Sequence, residues 1–165
     1  FAALRDGLTA RWCGSEDADR FAAAADGCPG VALAWAVDPE LRALAAEHQR
    51  LAWSLITGSY TDRLRSADGF IRRLPEDRAV AHDRVRNLIA NLRSATRLLV
   101  ERAVDIGGAP GTVFQTILGD ALGPIPRVSV AMLVPWMRIL ARAGNDLAAN
   151  VTPRLIIETL AIAFP

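Results

Sequence analysis

The sequence predicts an all-α chain, and three observations carry that expectation. Apolar residues recur every three or four positions along almost every segment. No run alternates Val, Ile or Thr with polar residues between hairpin turns, so strand signals are lacking. The interruptions fall at Ser, Asp, Thr, Gly and Pro, residues that start or stop helices.

Each element follows from these rules in turn. "FAALRDGLTARW" puts Phe1, Leu4, Leu8 and Trp12 on one helical face. "SEDADRFAAAAD" opens on Ser15, a good N-cap, with Glu16 and Asp17 favourably placed against the helix dipole. "GCPGVALAWAV" reads as a short apolar helix with Pro29 near its start. Asp38-Pro39 caps "PELRALAAEHQRLAWSLITG", whose buried face should be Leu41, Leu44, Ala45, His48, Leu51, Ala52 and Leu55, with Gly58 as the stop. "TDRLRSADGFIRRL" is amphipathic but interrupted by Gly69. A long helix is expected from about Glu76 to Val104, striped by Val85, Leu88, Leu92, Ala95, Leu99 and Ala103. "IGGAPG" and "GPIPR" read as breaks around a short helix, "TVFQTILGDAL". Pro135 should start or kink a helix, and one from Pro135 to about Ala149 is favoured. Thr152-Pro153 specifies the last helix, in which only Arg154, Glu158 and Thr159 are polar. A helix apolar nearly all round must be a central core helix or a subunit contact.

Bulk properties narrow the function classes. With 165 residues and 52% apolar content, the chain can form a real core, in one domain or one plus part of another. A net charge of +1 disfavours a strongly basic nucleic-acid binder and an acidic tail. All 19 basic residues are Arg. With the high Ala content this reads as genomic GC bias, and the lack of Lys excludes a Walker-type nucleotide site. Cys13 and Cys28 cannot make a four-ligand zinc site, because His48 and His82 are far off in sequence. No apolar run of about 20 residues spans a bilayer and no signal peptide is evident, so the expectation is two reduced thiols in a cytoplasmic protein. The chain opens at Phe1 and enters a helix at once, as an excised piece of a longer protein would.

Catalytic chemistry is hard to find. A Cys28–histidine pair is conceivable, but nothing in the spacing requires it. Gly107–Gly111 lacks a preceding strand and reads as a loop. Glu76 and Asp77, like Glu16 and Asp17, are explained by the helix dipole. Trp12, Trp35, Trp53 and Trp136 lie on apolar helical faces and read as core, with an interface role for one or two as the sharper alternative. His48 reads as a core or boundary histidine.

Two stretches carry a resemblance. "FAAAADGCPGVALAW" resembles the end of the AAA+ lid domain in the delta-prime family of bacterial DNA polymerase III clamp-loader subunits. That family shows Gly-Ser-Pro-Gly-x-Ala-Leu where this chain has Gly27-Cys28-Pro29-Gly30-Val31-Ala32-Leu33. "NDLAANVTPRLIIETLAIAF" resembles the same family's closing segment through Leu147, Asn150, Leu155, Glu158 and Leu160, with Thr152 in place of the usual Asn. "RVRNLIANLRSATRLLVERA" fits the long helix of the family's collar domain.

The resemblance implies lid helices over residues 1–37 and a helical collar bundle over residues 38–165. Nucleotide-binding clamp-loader subunits place a phosphate-reaching arginine where Gly30 stands here, so it implies the non-hydrolysing delta-prime type over gamma/tau. It implies no catalytic, cofactor-binding or metal site in these residues, and a role in holding together the machine that loads the sliding clamp onto primed DNA. Its partners would be the gamma/tau and delta subunits through the collar, with DNA met only indirectly and neither membrane nor small-molecule substrate involved. A collar helix meeting a neighbour implies an interface at Leu155, Ile156, Ile157, Leu160 and Phe164. Two other readings stay open: the equivalent region of gamma/tau, and an all-helical ligand-binding or regulatory domain whose tryptophans line an apolar site.

Overall fold

Capping chemistry decides where the helices begin and end in the computed structural model, which describes residues 2–11, 13–24, 28–104 and 128–164. The described residues form eight helices and no strand. They are α1 (Ala2–Arg11), α2 (Ser15–Ala24), α3 (Pro29–Val37), α4 (Pro39–Thr57), α5 (Tyr60–Ile71), α6 (Arg78–Ala103), α7 (Val130–Ala148) and α8 (Pro153–Ala163). Phe1, Trp12, Gly27 and the expected "TVFQTILGDAL" helix lie outside the described residues.

Asp38 ends α3 and starts α4: its Oδ1 accepts from the backbone N–H groups of Glu40 at 2.8 Å and Leu41 at 3.2 Å. Gly58 ends α4 for a steric reason, since a Cβ there would lie 2.5 Å from the Ser54 carbonyl. Ser59 then caps α5, accepting from the Asp62 N–H at 3.2 Å and donating its hydroxyl to the Asp62 carboxylate at 2.6 Å. That hydroxyl, ahead of the nearby Arg65, holds the Asp62 carboxyl below its usual range. The brace is therefore complete above the ordinary carboxyl range and lost as pH falls through the lowered value. Asp77 caps α6 through Ala79 N–H at 2.8 Å and Val80 N–H at 3.1 Å, so the helix begins at Arg78 instead of Glu76.

Two expectations about helix continuity need correction. Gly69 does not interrupt α5, because the flanking Ala67 and Phe70 are buried and outweigh the roughly 1 kcal/mol helix cost of a glycine. Pro135 does not start its helix, the alternative favoured from the sequence; it lies inside α7, which begins at Val130, the placement of the other alternative. Its ring is exposed, while burial of Leu133 and Trp136 on either side holds that first turn in place. Thr152 occupies the cap position of α8 without a side-chain cap hydrogen bond.

The chain divides into two compact units within α4, between Glu47 and His48. In the first, α1, α2 and α3 pack on one another around Leu8, Ala18, Phe21, Ala22 and Ala32. Arg42 of α4 donates to the Trp35 carbonyl at 2.7 Å and lies 5.5 Å from the centre of the Phe21 ring. Of the face expected in the core, His48, Leu51, Ala52 and Leu55 are buried and Leu44 and Ala45 half-buried, but Leu41 is exposed, because full burial along α4 begins only at His48.

The second unit is organised on α6. Val85, Leu88, Leu92, Ala95 and Leu99 are all buried, as the stripe predicts, although Ala103 at its end is exposed. Helix α7 packs along α6 with Leu133, Trp136, Leu140 and Leu147 buried, and α8 packs against α5, α6 and α7. Ser54 and Ser66 share a 2.8 Å hydrogen bond between α4 and α5, where the His48 ring also meets Phe70 edge-on at 5.6 Å.

Helix α7 stops in a Schellman turn. Asn150 takes φ = 60°, its N–H donates to the Leu147 carbonyl at 3.1 Å, and the Val151 N–H donates to the Asp146 carbonyl at 2.9 Å. Asparagine tolerates that left-handed backbone better than most side chains. Arg78, at the start of α6, donates to the Asn150 carbonyl at 2.9 Å. A β-branched residue here should be strained, so Asn150→Val is expected to lower stability by about 1–2 kcal/mol and Asn150→Gly to leave it near the parent value, measured by urea unfolding.

Candidate interaction surface

The apolar last helix resolves into two faces once its packing is known. Ile156, Ile157 and Leu160 are at most 3% exposed, and Phe164, just past the helix, is 1% exposed. These four, implied as interface residues, are filled into the core of their own unit and are not open to a neighbour in this fold. Phe164 meets Trp136 edge-on with ring centres 5.4 Å apart, and the buried Arg63 guanidinium donates to its carbonyl. Leu155 is different. It is 54% exposed, and Ile162, which sequence reasoning did not select, is 59% exposed. With Thr159 between them they form one stripe at i, i+4 and i+7, bordered by the Arg154–Glu158 ion pair at 2.8 Å. Ile162 carries no motif of its own; the signal available for it was its seven-residue spacing from Leu155.

The lid-like segment sits at the start of α3. Pro29 is the first helical residue, Cys28 precedes it without a side-chain cap bond, and Ala32 is fully buried beside Trp35 and Ala36. Leu33 is 41% exposed, in line with Val31 and Val37, so α3 also shows apolar surface. Gly30 faces open space, with nothing within 4 Å of an added Cβ. Nothing in the packing therefore demands glycine there, and the lack of a long side chain is a matter of surface chemistry, not fit.

An open cleft of about 410 Å³ lies beside Phe21, Trp35, Arg42 and Asp17, with Ala43 and Ala46 on its α4 side. Its arginine is already engaged by the Trp35 carbonyl. Trp53 and Trp136 are core residues, so of the described tryptophans Trp35 alone lines this cleft. Burial, ahead of nearby Asp17, pushes the Cys13 thiol above its usual pKa, which makes it a poorer nucleophile at neutral pH. Cys28 is exposed, and both cysteines are free. Among the described residues no three His, Cys, Asp or Glu side chains are grouped to hold a metal, and no helix is long and apolar enough to cross a membrane.

Comparison with protein-family models, curated proteins and solved structures found no match to this chain.

Because Gly30 is unconstrained and helical, Gly30→Ala is expected to raise the stability of the first unit by about 0.5 kcal/mol, read as a higher denaturation midpoint. A fall would mean that the glycine is held by a contact.

Proposed function

We propose that this chain is a non-catalytic interaction module, acting as the lid-plus-collar part of a delta-prime-type subunit in a DNA polymerase III clamp loader. One observation carries the reading. Helix α8 commits one face to its own core and still leaves Leu155 and Ile162 more than half exposed on the other. A helix that only closed a bundle would gain from polar residues on that side; a helix seated between its own bundle and a neighbour would not. The resemblance of residues 27–33 and 147–160 to the delta-prime family supports the same role. The chain would work in the cytoplasm beside gamma/tau and delta subunits, while other subunits bind nucleotide and open the clamp.

The cleft beside Trp35 and Phe21 supports a second reading, a helical ligand-binding domain. The gamma/tau equivalent is disfavoured by Gly30, which cannot reach a phosphate.

Native mass spectrometry of this chain, alone and mixed with clamp-loader collar domains from the same genome, separates these readings. The expected result is a defined hetero-oligomer that the double variant Leu155→Asp/Ile162→Asp weakens at unchanged helicity. Ile157→Asp is unsuitable, because that side chain is fully buried and its charge would unfold the unit. A monomer under every condition contradicts the collar role. A melting temperature raised by an apolar ligand would favour the cleft instead.

A further inference from the structure

A second apolar ridge lies away from α8, and its borders say what should cover it. On α7, Val130, Val134 and Met137 are 44%, 43% and 57% exposed, and Ala141 continues the ridge for about three turns, roughly 17 Å. Val130, Met137 and Gly144 repeat at sevens along one line of the helix. The Arg93 guanidinium of α6 lies across Gly144, 2.9 Å from where a Cβ would stand, so the ridge runs beside α6. The small residue at 144 is what lets that arginine reach over α7.

The edge of α6 carrying Arg93 also carries Arg86 seven residues before it, and both are exposed. On the far side of the ridge, exposed Arg138 and Arg142 follow the same α7 turns. The described carboxylates beside these groups are Asp83, paired with Arg86, and Asp146, 3.9 Å from Arg142. Among the described residues, Arg86 and Arg93 on one border have Asp83 beside them, and Arg138 and Arg142 on the other have Asp146, so each border of the apolar strip carries more arginine than carboxylate.

We propose that the α6–α7 face docks an acidic amphipathic helix from a partner protein. The strip has the length of a three-turn helix, Met137 at its middle is an adaptable contact, and arginine borders select Asp and Glu on either side of the partner's apolar line. Electrostatic complementarity of this kind sets which partner is accepted more than how tightly it is held. This site goes beyond the collar role and does not depend on it.

The test uses the full chain and two labelled helix-favouring peptides of about 16 residues, long enough for a helix once docked. Both carry Leu along one face; one has Glu on its other faces and the other has Lys. Fluorescence anisotropy should show binding of the Glu peptide alone, weakening about tenfold as salt rises from about 0.05 to about 0.5 M. Met137→Asp and Arg93→Gln should each weaken it at least tenfold at unchanged helicity, and Leu155→Asp should not. If Met137→Asp lowers helicity, Val134→Asn serves in its place. Equal binding of both peptides, or of neither, overturns the proposal. So does sedimentation showing a self-associated chain that Met137→Asp turns into a monomer, which would assign the ridge to a second copy.

Discussion

The burial of Phe164 is what the second unit depends on. Phe164 brings a large ring and a carbonyl into the core at the end of α8, and both must be accommodated together. The ring is met by Trp136 of α7, and the carbonyl by the guanidinium of Arg63 on α5. An unmet carbonyl at that depth costs about 1–3 kcal/mol, while a charge-assisted hydrogen bond contributes about 1.5–3 kcal/mol. The arginine itself is 6% exposed and needs that acceptor. These two contacts of one residue thus join α5, α7 and the end of α8, and they hold in place the helix whose other face is open.

Arginine serves this purpose repeatedly. Arg42 donates to the Trp35 carbonyl near the end of α3, Arg78 to the Asn150 carbonyl after α7, and Arg84 to the Arg73 carbonyl after α5. Helix ends leave carbonyls without intrahelical partners, and a long side chain with several fixed donors reaches them from a neighbouring helix. An all-arginine basic set, which the sequence suggests is a compositional habit, is used here as a set of carbonyl caps. The exposed arginines of α6 and α7 border apolar surface, so one residue type supports both closure and recognition.

Much of the fold was legible in the sequence because local rules and burial agreed. Asp38-Pro39 and Gly58 bound α4 as expected, and the α6 stripe is buried from Val85 to Leu99. The errors arose where packing overrode propensity. Gly69 and Pro135 are poor helix residues held by buried neighbours. Gln49, polar by type, is 2% exposed, while Leu41, on the same stripe as the buried His48, Leu51 and Leu55, is exposed, because full burial along α4 begins only at His48. The candidate surface was legible only as an excess of apolar residues in α8. Which of them face outward depends on the placement of α5, α6 and α7, and periodicity within eleven residues could not decide that.

Helix α8 is a core helix of its own unit with a second apolar face, and not a segment that orders only against a partner. Amide hydrogen exchange of the isolated chain tests it most directly. Amides from Ile156 to Phe164 should exchange only through global unfolding, as slowly as those of Leu88 and Leu92 in α6, and Arg63→Met should accelerate them by about thirtyfold, the equivalent of about 2 kcal/mol. Rapid exchange across α8 in the parent chain, with protection confined to α6 and α7, would contradict it.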